Sequence, residues 1–315
     1  MAYYIGIDLG GTNIKVGVVS AQGRILAECS TKTLPERPYQ ELVKDMSLCI
    51  SHILQQTGLT ADDIVSVGIG IPGVADQHTG SVIFCTNLGW RDVPLREELQ
   101  KYIPKPVYID NDATVAGYAE SISGVSRGCS CSVFLTLGTG LGAGIIINGR
   151  PWSGAHGVGS EIGHMTMVVD GVPCTCGNDG CVERYCSATA IIRMAKQACL
   201  GYPDCDMMQR VKGDMNRINA KTVIDSAKAG DPVAMRVFDR YCKYLAIAVN
   251  NITAFLDPEM IVLGGGVSTA GDFLLNNVRN QLPRYLMYKT LPSPELCLAQ
   301  LGNEAGIIGA ALLGA

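Results

Sequence analysis

The sequence predicts an α/β protein built from two similar halves, and three observations support this prediction. Short apolar segments that suit buried strands alternate with segments whose apolar residues recur at helical spacing. A strand, a Gly/Thr turn, a second strand and another turn occur in that order at residues 3–23 and again at residues 131–149. The chain has 315 residues, of which 37 are glycine and only 6% are aromatic, which suits a two-domain enzyme with many tight turns.

The first half opens with a β-meander. Strands are expected at residues 3–9, 14–19 and 24–28, and the turn Gly10-Gly11-Thr12 joins the first two. The elements expected after the meander are a helix over residues 39–56, a strand over residues 64–71, a helix over residues 95–101, a short strand over residues 107–109 and a helix from residue 113.

The second half repeats the opening. Strands over residues 131–137 and 143–147 flank the turn at residues 138–142. A helix over residues 231–255, a strand over residues 260–263 and a helix over residues 304–313 complete the half. The apolar face of the long helix is expected to contain Ala234, Phe238, Tyr241, Leu245, Ala248, Ile252 and Phe255. We therefore expect a smaller α/β domain at residues 1–112, joined by the C-terminal helix at about residues 303–315, and a larger domain at residues 113–302.

Charge and composition exclude several classes of function. The net charge is −4 and no basic stripe occurs, so no nucleic-acid partner is expected. The apolar runs are too short to span a bilayer, and the N-terminus lacks the features of a signal peptide. A cytoplasmic protein without a membrane partner is expected. Ten of the thirteen cysteines are scattered and are interpreted as packing residues of a protein in a reducing compartment.

Three Gly-rich turns are candidates for nucleotide binding. Asp8-Leu9-Gly10-Gly11-Thr12-Asn13-Ile14-Lys15 places a carboxylate at a strand end, next to glycines whose backbone N–H groups can approach a phosphate. Asp8 would hold Mg²⁺ through water. The turn Gly138-Thr139-Gly140 has the same chemistry, and Gly264-Gly265-Gly266 would let a base or ribose pack on bare backbone. The alternative is that all three are only tight turns.

Asp110-Asn111-Asp112 lies between a predicted strand and a predicted helix. A carboxylate there would suit phosphoryl transfer to an alcohol, which needs a group that orients the hydroxyl and accepts its proton. Asp and Asn are also good helix N-caps, and the pattern taken alone favours capping.

The most specific pattern combines His164 with Cys174, Cys176 and Cys181. Three thiolates and one imidazole make a complete tetrahedral Zn²⁺ set with no open position, which indicates a structural metal. Gly177 and Gly180 permit the tight turns that a short metal loop requires. Glu161 and Glu183 flank this loop as candidate acceptors for substrate hydroxyls, although each taken alone could be a surface acid.

With these motifs, the chain resembles the ROK family of sugar kinases and sugar-responsive repressors, and especially its bacterial ATP-dependent glucokinase branch. The resemblance covers essentially the whole chain. Its most specific part is Glu161-Ile162-Gly163-His164, followed by Cys174-x-Cys176-Gly177-x-x-Gly180-Cys181-x-Glu183. It implies the duplicated actin-like ATPase (ribonuclease H-like) fold, with two domains and the active site in the cleft between them.

The resemblance also implies individual roles. Asp112 would be the general base that deprotonates the 6-hydroxyl of a hexose, preferably glucose, as this hydroxyl accepts the γ-phosphoryl group of Mg-ATP. The implied sugar contacts are Gly73, Asn87, Asn111, Glu161, His164 and Glu183. The implied nucleotide contacts are Asp8, Gly10, Gly11, Thr12, Lys15, Gly138, Thr139, Gly140, Gly264, Gly265 and Gly266. The chain departs from the family pattern at Thr114, Ala143 and Ser160, where Asn, Gly and Gly are common.

Alternatives stay open at this point. The acceptor could be N-acetylmannosamine, N-acetylglucosamine, allose or fructose, and polyphosphate could replace ATP. A DNA-binding repressor is disfavoured because the phosphate motif begins within about ten residues of Met1. The resemblance further implies a homodimer.

Overall fold

The computed structural model describes residues 2–315. These residues form two compact units. Of the described residues, unit 1 comprises 2–130, Gly144–Ser160 and Gln300–Ala315, and unit 2 comprises Cys131–Ala143 and Glu161–Ala299. Among the described residues, no helix is both long and apolar enough to cross a membrane.

Strands and helices alternate along much of the chain. The strands are β1 (Tyr3–Leu9), β2 (Asn13–Ser20), β3 (Ile25–Lys32), β4 (Ile64–Ile71), β5 (Val74–Asp76), β6 (Ser81–Cys85), β7 (Trp90–Val93), β8 (Val107–Asn111), β9 (Cys131–Leu137), β10 (Leu141–Ile147), β11 (Arg150–Pro151), β12 (Met260–Gly264) and β13 (Glu295–Leu298). The α-helices are α1 (Tyr39–Thr57), α2 (Leu95–Gln100), α3 (Asp112–Ser123), α4 (Glu183–Cys186), α5 (Ala188–Cys199), α6 (Asp206–Arg210), α7 (Ala220–Lys228), α8 (Pro232–Leu256), α9 (Asp272–Gln281) and α10 (Ala305–Ala311).

The main sheet of unit 1 has the strand order β3-β2-β1-β4-β8. Strands β1, β2 and β3 form the predicted antiparallel meander, whereas β4 and β8 run parallel to β1. Both faces of the central strands are buried, so these strands consist of near-continuous apolar runs. Helix α1 covers one face with Leu42, Met46 and Ile53, all of which are fully buried.

The C-terminal helix α10 packs on the same sheet at very short range. A Cβ atom on Gly6 would collide with the Ile307 carbonyl, and one on Gly309 would collide with the Val115 carbonyl of α3. Helix α3 therefore belongs to unit 1 together with α10. The sequence analysis instead ended the first domain at residue 112. Capping and apolar spacing predict a helix but do not reveal which neighbouring element the helix packs against.

The main sheet of unit 2 contains β9, β12 and β13 as parallel neighbours. Helix α8 is the longest helix, and the Asp231 carboxylate caps its N-terminus by accepting hydrogen bonds from the Val233 and Ala234 N–H groups. Phe238 and Tyr241 on its apolar face are fully buried, as the spacing predicts. Phe255 is 79% exposed, so its predicted place on the buried face is wrong: it lies in the last turn of the helix.

The second five-stranded sheet has the order β11-β10-β9-β12-β13, which repeats the pattern β3-β2-β1-β4-β8 of the first. The predicted internal duplication is confirmed. A small antiparallel sheet, β5-β6-β7, was not predicted. Its strands have only three to five residues and expose Ile83 and Phe84, so neither length nor alternation marked them in the sequence.

Candidate active site

The parallel strands of unit 1 bring most of its predicted site residues to one edge of the sheet. Strands β1, β4 and β8 end at the same edge, and open α/β sheets bind ligands at the carboxyl ends of such strands. The turn at residues 10–12 follows β1, Gly73 follows β4, and Asn111 ends β8. Asn87 joins them, because a Cβ atom on Gly11 would lie 3.5 Å from the Asn87 Cβ.

The first Gly/Thr turn is held by the residue that follows β3. The Thr33 N–H donates to the Thr12 carbonyl at 3.0 Å, and the Thr33 hydroxyl donates to the Gly10 carbonyl at 2.6 Å. These hydrogen bonds tie the turn to the end of β3. The Gly10 N–H donates to the Asn13 carbonyl at 3.0 Å, so the candidate groups to meet an anion are the N–H groups of Gly11 and Thr12.

Asp8 lies beside this turn, opposite Lys15 of β2. Burial raises the pKa of the Asp8 carboxyl, and the positive charge of Lys15 opposes that shift. Gly306 leaves room for the carboxyl group, since a Cβ atom there would lie 2.8 Å from the Asp8 Cγ. A buried carboxylate of this kind gains from a nearby cation.

Asn111 and Asp112 divide the two roles that the sequence left open. The Asn111 side chain caps α3 by accepting the Ala113 N–H at 2.9 Å, and its amide donates to the Gly73 carbonyl at 3.2 Å. Asp112 is the first residue of α3, and its Oδ1 accepts the same Ala113 N–H at 2.7 Å. Its side chain is only half-buried. The capping interpretation is thus correct for Asn111, while Asp112 is a half-buried acid in the first turn of the helix.

Asp110 was given no role by the sequence analysis, but it is the most deeply buried acid of the motif. Burial raises the pKa of its carboxyl to about 6, against the opposing effect of hydrogen bonds from Asn111, Ser153 and Gln77. Gln77 and Ser153 are separated from Asp110 by more than thirty residues. No local pattern could have identified them.

In unit 2, the parallel pairing of β9 and β12 places two predicted nucleotide segments side by side. Thr136 is in register with Gly264, so the turn at residues 138–140 and the glycines at 264–266 leave the same edge. Gly265 has a φ of 81°, and a Cβ atom there would lie 2.7 Å from the Leu137 nitrogen. Glycine at this position is required by both backbone conformation and space.

The second Gly/Thr turn is held by the segment that follows the cysteine cluster. The Ala188 N–H donates to the Gly138 carbonyl at 2.8 Å, and the Thr189 hydroxyl donates to the Thr139 carbonyl at 2.7 Å. Glu183 Oε2 accepts the Leu141 N–H at 2.9 Å. Glu183 was predicted only as a sugar contact. The structure adds a contact to the candidate nucleotide turn, because Glu183 Oε2 accepts a hydrogen bond from the residue that follows Gly140.

The cysteine cluster has the arrangement of a metal centre. The ligand atoms of His164, Cys174, Cys176 and Cys181 all lie within 4.8 Å of one another. The Cys174 Sγ is 3.7 Å from His164 Nδ1, and the Cys176 and Cys181 Sγ atoms are 3.6 Å apart. Bonds of about 2.3 Å to sulfur and about 2.0 Å to nitrogen in a tetrahedron require separations of about 3.5–3.8 Å. The donor set therefore fits a tetrahedral metal ion.

His164 faces two ways. Nδ1 points to the thiols, while Nε2 lies 3.9 Å from the Glu161 carboxylate. Both Glu161 and His164 are partly accessible. A metal bound at Nδ1 would fix the ring and leave Nε2 to meet a hydroxyl group.

Two of the departures from the family pattern contact each other. The Thr114 and Ser160 hydroxyls lie 3.4 Å apart, and both side chains are buried. Each hydroxyl can therefore satisfy the other where an unpaired polar group would be costly.

Comparison with known proteins identifies the family of the chain. The sequence profile of the ROK family matches residues 4–315. A glucokinase from Halalkalibacterium halodurans is 35% identical, over 98% of this chain and 93% of the relative. A xylose repressor from Caldicellulosiruptor bescii is 28% identical, over 97% of this chain and 76% of the relative.

Solved structures give the same result. A ROK family glucokinase from Streptomyces griseus, in complex with glucose and AMPPNP, superposes with a TM-score of 0.82 at 34% identity and covers 98% of each chain. A ROK hexokinase from Thermus thermophilus superposes with a TM-score of 0.84 at 30% identity, over 99% of this chain and 97% of the other. With the repeated sheet order, this likeness confirms the predicted duplicated actin-like ATPase fold.

Proposed function

Because the chain belongs to the ROK family, we propose that this ATP-dependent sugar kinase phosphorylates glucose at its 6-hydroxyl, giving glucose 6-phosphate and ADP. The observation that carries the proposal is the half-buried Asp112 carboxylate at the edge of the sheet that also presents the first Gly/Thr turn. The 35% identity to glucokinases, against 28% to a xylose repressor, favours an enzyme over a regulator.

In the proposed reaction, Asp112 orients the sugar 6-hydroxyl and accepts its proton as the oxygen attacks the γ-phosphorus. The O–P bond to the sugar forms as the bond to the β-phosphate oxygen breaks, and ADP leaves. Backbone N–H groups of the Gly/Thr turns stabilise charge on the phosphate oxygens. The proposed sugar contacts are Gly73, Asn87, Asn111, Glu161, His164 and Glu183.

The proposed nucleotide contacts are the remaining predicted residues. They are Asp8, Gly10, Gly11, Thr12, Lys15, Gly138, Thr139, Gly140, Gly264, Gly265 and Gly266. The buried Asp8 carboxylate suits a water-mediated contact to Mg²⁺, which when bound neutralises phosphate charge.

We assign Zn²⁺ to His164, Cys174, Cys176 and Cys181 in a structural role, supported by three sulfur donors and one nitrogen donor in a closed set. The protein is further proposed to be a cytoplasmic homodimer that acts at the entry to glycolysis, in keeping with its ATP requirement and its family. Sedimentation at micromolar concentration tests the dimer, and the mass of a single chain would contradict it.

The function is tested by a coupled assay of the purified protein with ATP against glucose, mannose, fructose, allose, N-acetylglucosamine and N-acetylmannosamine. Glucose is expected to give the highest kcat/KM. A higher value for another sugar would overturn the glucose assignment while keeping the kinase. Replacing ATP by polyphosphate in the same assay tests the donor.

Asp112→Asn tests the general base. The amide keeps the size of the side chain and can still accept the Ala113 N–H, so α3 should stay intact. It cannot accept a proton, and we expect kcat to fall by ~10²–10⁴-fold while glucose binding stays measurable by calorimetry. A variant with the kcat of the wild type would remove Asp112 from the mechanism.

A further inference from the structure

Asp110 is a buried carboxylate held by three neutral donors. It is 5% exposed. Gln77 Nε2 donates to Oδ2 at 2.7 Å, the Asn111 N–H donates to Oδ1 at 2.8 Å, and the Ser153 hydroxyl lies 3.3 Å from Oδ1. Burying a carboxylate costs free energy, whereas burying an apolar side chain is favourable, and hydrogen-bond donors such as these offset the cost.

The three donors come from three separate segments of unit 1. Gln77 lies in the turn between β5 and β6, Ser153 lies just after β11, and Asn111 ends β8. Arg96 fixes the first segment by donating to the Gln77 carbonyl at 2.8 Å and to the His78 carbonyl at 2.7 Å. The Asp110 carboxylate is therefore the point where a braced hairpin turn and a second loop meet the end of strand β8.

The end of β8 is where Asp112 is positioned. Asp110 holds the Asn111 N–H, and the Asn111 side chain caps α3 and reaches the Gly73 carbonyl. Asp112 is the next residue, so the direction in which its side chain leaves the backbone depends on the peptide that Asp110 holds. A shift of about 1 Å in a catalytic group can cost about 10²-fold in rate.

We propose that Asp110 is a positioning residue: with Gln77 and Ser153 it fixes the Asn111–Asp112 backbone and so aligns the Asp112 carboxylate with the acceptor hydroxyl. This inference rests on the proposed function for its effect on rate, although the hydrogen-bond network is independent of the identity of the sugar.

Asp110→Asn is the primary test. The amide oxygen can keep the Asn111 N–H but accepts more weakly than a carboxylate, and the amide nitrogen faces Gln77, whose side-chain amide has to turn over to offer Oε1 in place of Nε2. We expect kcat to fall by about 10²-fold, with the KM for ATP changed less than threefold and the KM for glucose raised less than tenfold through the proposed sugar contact Asn111. A kcat near that of the wild type would overturn the proposal, and so would a fall in kcat/KM that comes from a rise in KM alone.

The reciprocal variant Asp110→Asn/Gln77→Glu restores a charge-assisted hydrogen bond across the same contact, because the new amide nitrogen can donate to a carboxylate. It is expected to recover at least tenfold of the lost kcat, whereas Gln77→Glu alone opposes two carboxylates and lowers kcat. A double variant no better than Asp110→Asn would contradict the role of this contact. Ser51→Ala, in an exposed α1 side chain that bonds only its own helix, is the matched surface control.

Hydrogen exchange provides a measurement that needs no turnover. In Asp110→Asn, the backbone amides of residues 111–114 should exchange at least tenfold faster than in the wild type, while those of β9 and β12 keep their rates. Unchanged exchange at residues 111–114 would overturn the positioning role even if glucose were not the acceptor. An inactive wild type with accelerated exchange in the variant would instead locate the failure in the proposed function.

Discussion

The two Gly/Thr turns share a sequence pattern but are supported in different ways. The first turn, residues 10–12, is held by Thr33, which directly follows the next strand of the same meander. The second, residues 138–141, is held by Glu183, Ala188 and Thr189, more than forty residues further along the chain. The two halves of the chain therefore share the turn, while the residues that support it differ between them.

The difference has a functional consequence. The support of the first turn consists only of backbone and hydroxyl hydrogen bonds within a sheet. The support of the second turn includes Glu183, which lies two residues after the cluster ligand Cys181. The second turn is thus connected to the proposed metal ligands, whereas the first turn lies beside the proposed sugar contact Asn87.

Removing a ligand of the cysteine cluster should produce the largest difference between the two turns. In Cys174→Ser, loss of one thiolate should abolish stable Zn²⁺ binding, and structural zinc supplies folding free energy directly. We expect a lower Tm, a rise of at least about tenfold in the KM for both glucose and ATP, and faster hydrogen exchange at residues 138–141 but not at residues 10–12. Metal analysis by mass spectrometry accompanies the kinetics.

Cys29→Ser is the matched control, because Cys29 is a half-buried thiol on β3 of unit 1. It should keep one Zn²⁺ per chain and near-normal kinetics. The link between cluster and turn would be wrong if Cys174→Ser raised the glucose KM and left the exchange of residues 138–141 unchanged.

Glu183 variants should give the next largest effect. Gln at this position keeps an oxygen for the Leu141 N–H but loses the charge, so Glu183→Gln should raise the glucose KM about tenfold and change the ATP KM less than twofold. Glu183→Ala loses the acceptor as well and should raise both KM values. If Gln and Ala behave identically, the contact to the second turn has no role in nucleotide binding.

The turns themselves were predictable from sequence, whereas their supports were not. Glycine and threonine at a strand end mark a phosphate turn because the necessary backbone freedom is local. Likewise, His164 and the three cysteines identify a metal set by residue type and spacing alone. The pairing of Asp110 with Gln77 and Ser153, and of Glu183 with Leu141, depends on chain segments that meet only after folding.

Helix membership shows the same limit. The capping pattern at Asn111 and the apolar spacing of α3 predicted a helix, but its assignment to unit 1 depends on a glycine in α10 that permits contact with Val115. Phe255 follows the apolar period of α8 and yet is exposed. The last buried residue of this helix is Ile252, and the apolar period continues one turn beyond it.

The smallest expected effects come from the two threonines that hold the turns. Thr33→Val and Thr189→Val each remove one hydroxyl donor with little change in shape, and each leaves one turn carbonyl without that partner. Because Thr33 is fully buried and Thr189 is exposed, water can replace the lost donor only at the second turn. Thr33→Val should lower the free energy of unfolding by about 1 kcal/mol, and Thr189→Val by less than about 0.5 kcal/mol. Both should raise the ATP KM by about threefold or less without changing the glucose KM. Denaturant unfolding and ATP saturation curves measure the two quantities.

The double variant Thr189→Val/Glu183→Ala should show non-additive ATP KM values, since both side chains hold one turn, whereas Thr33→Val/Glu183→Ala should be additive. Additivity in both double variants would mean that Glu183 and Thr189 act independently, and the second turn would then have no common support to contrast with the first.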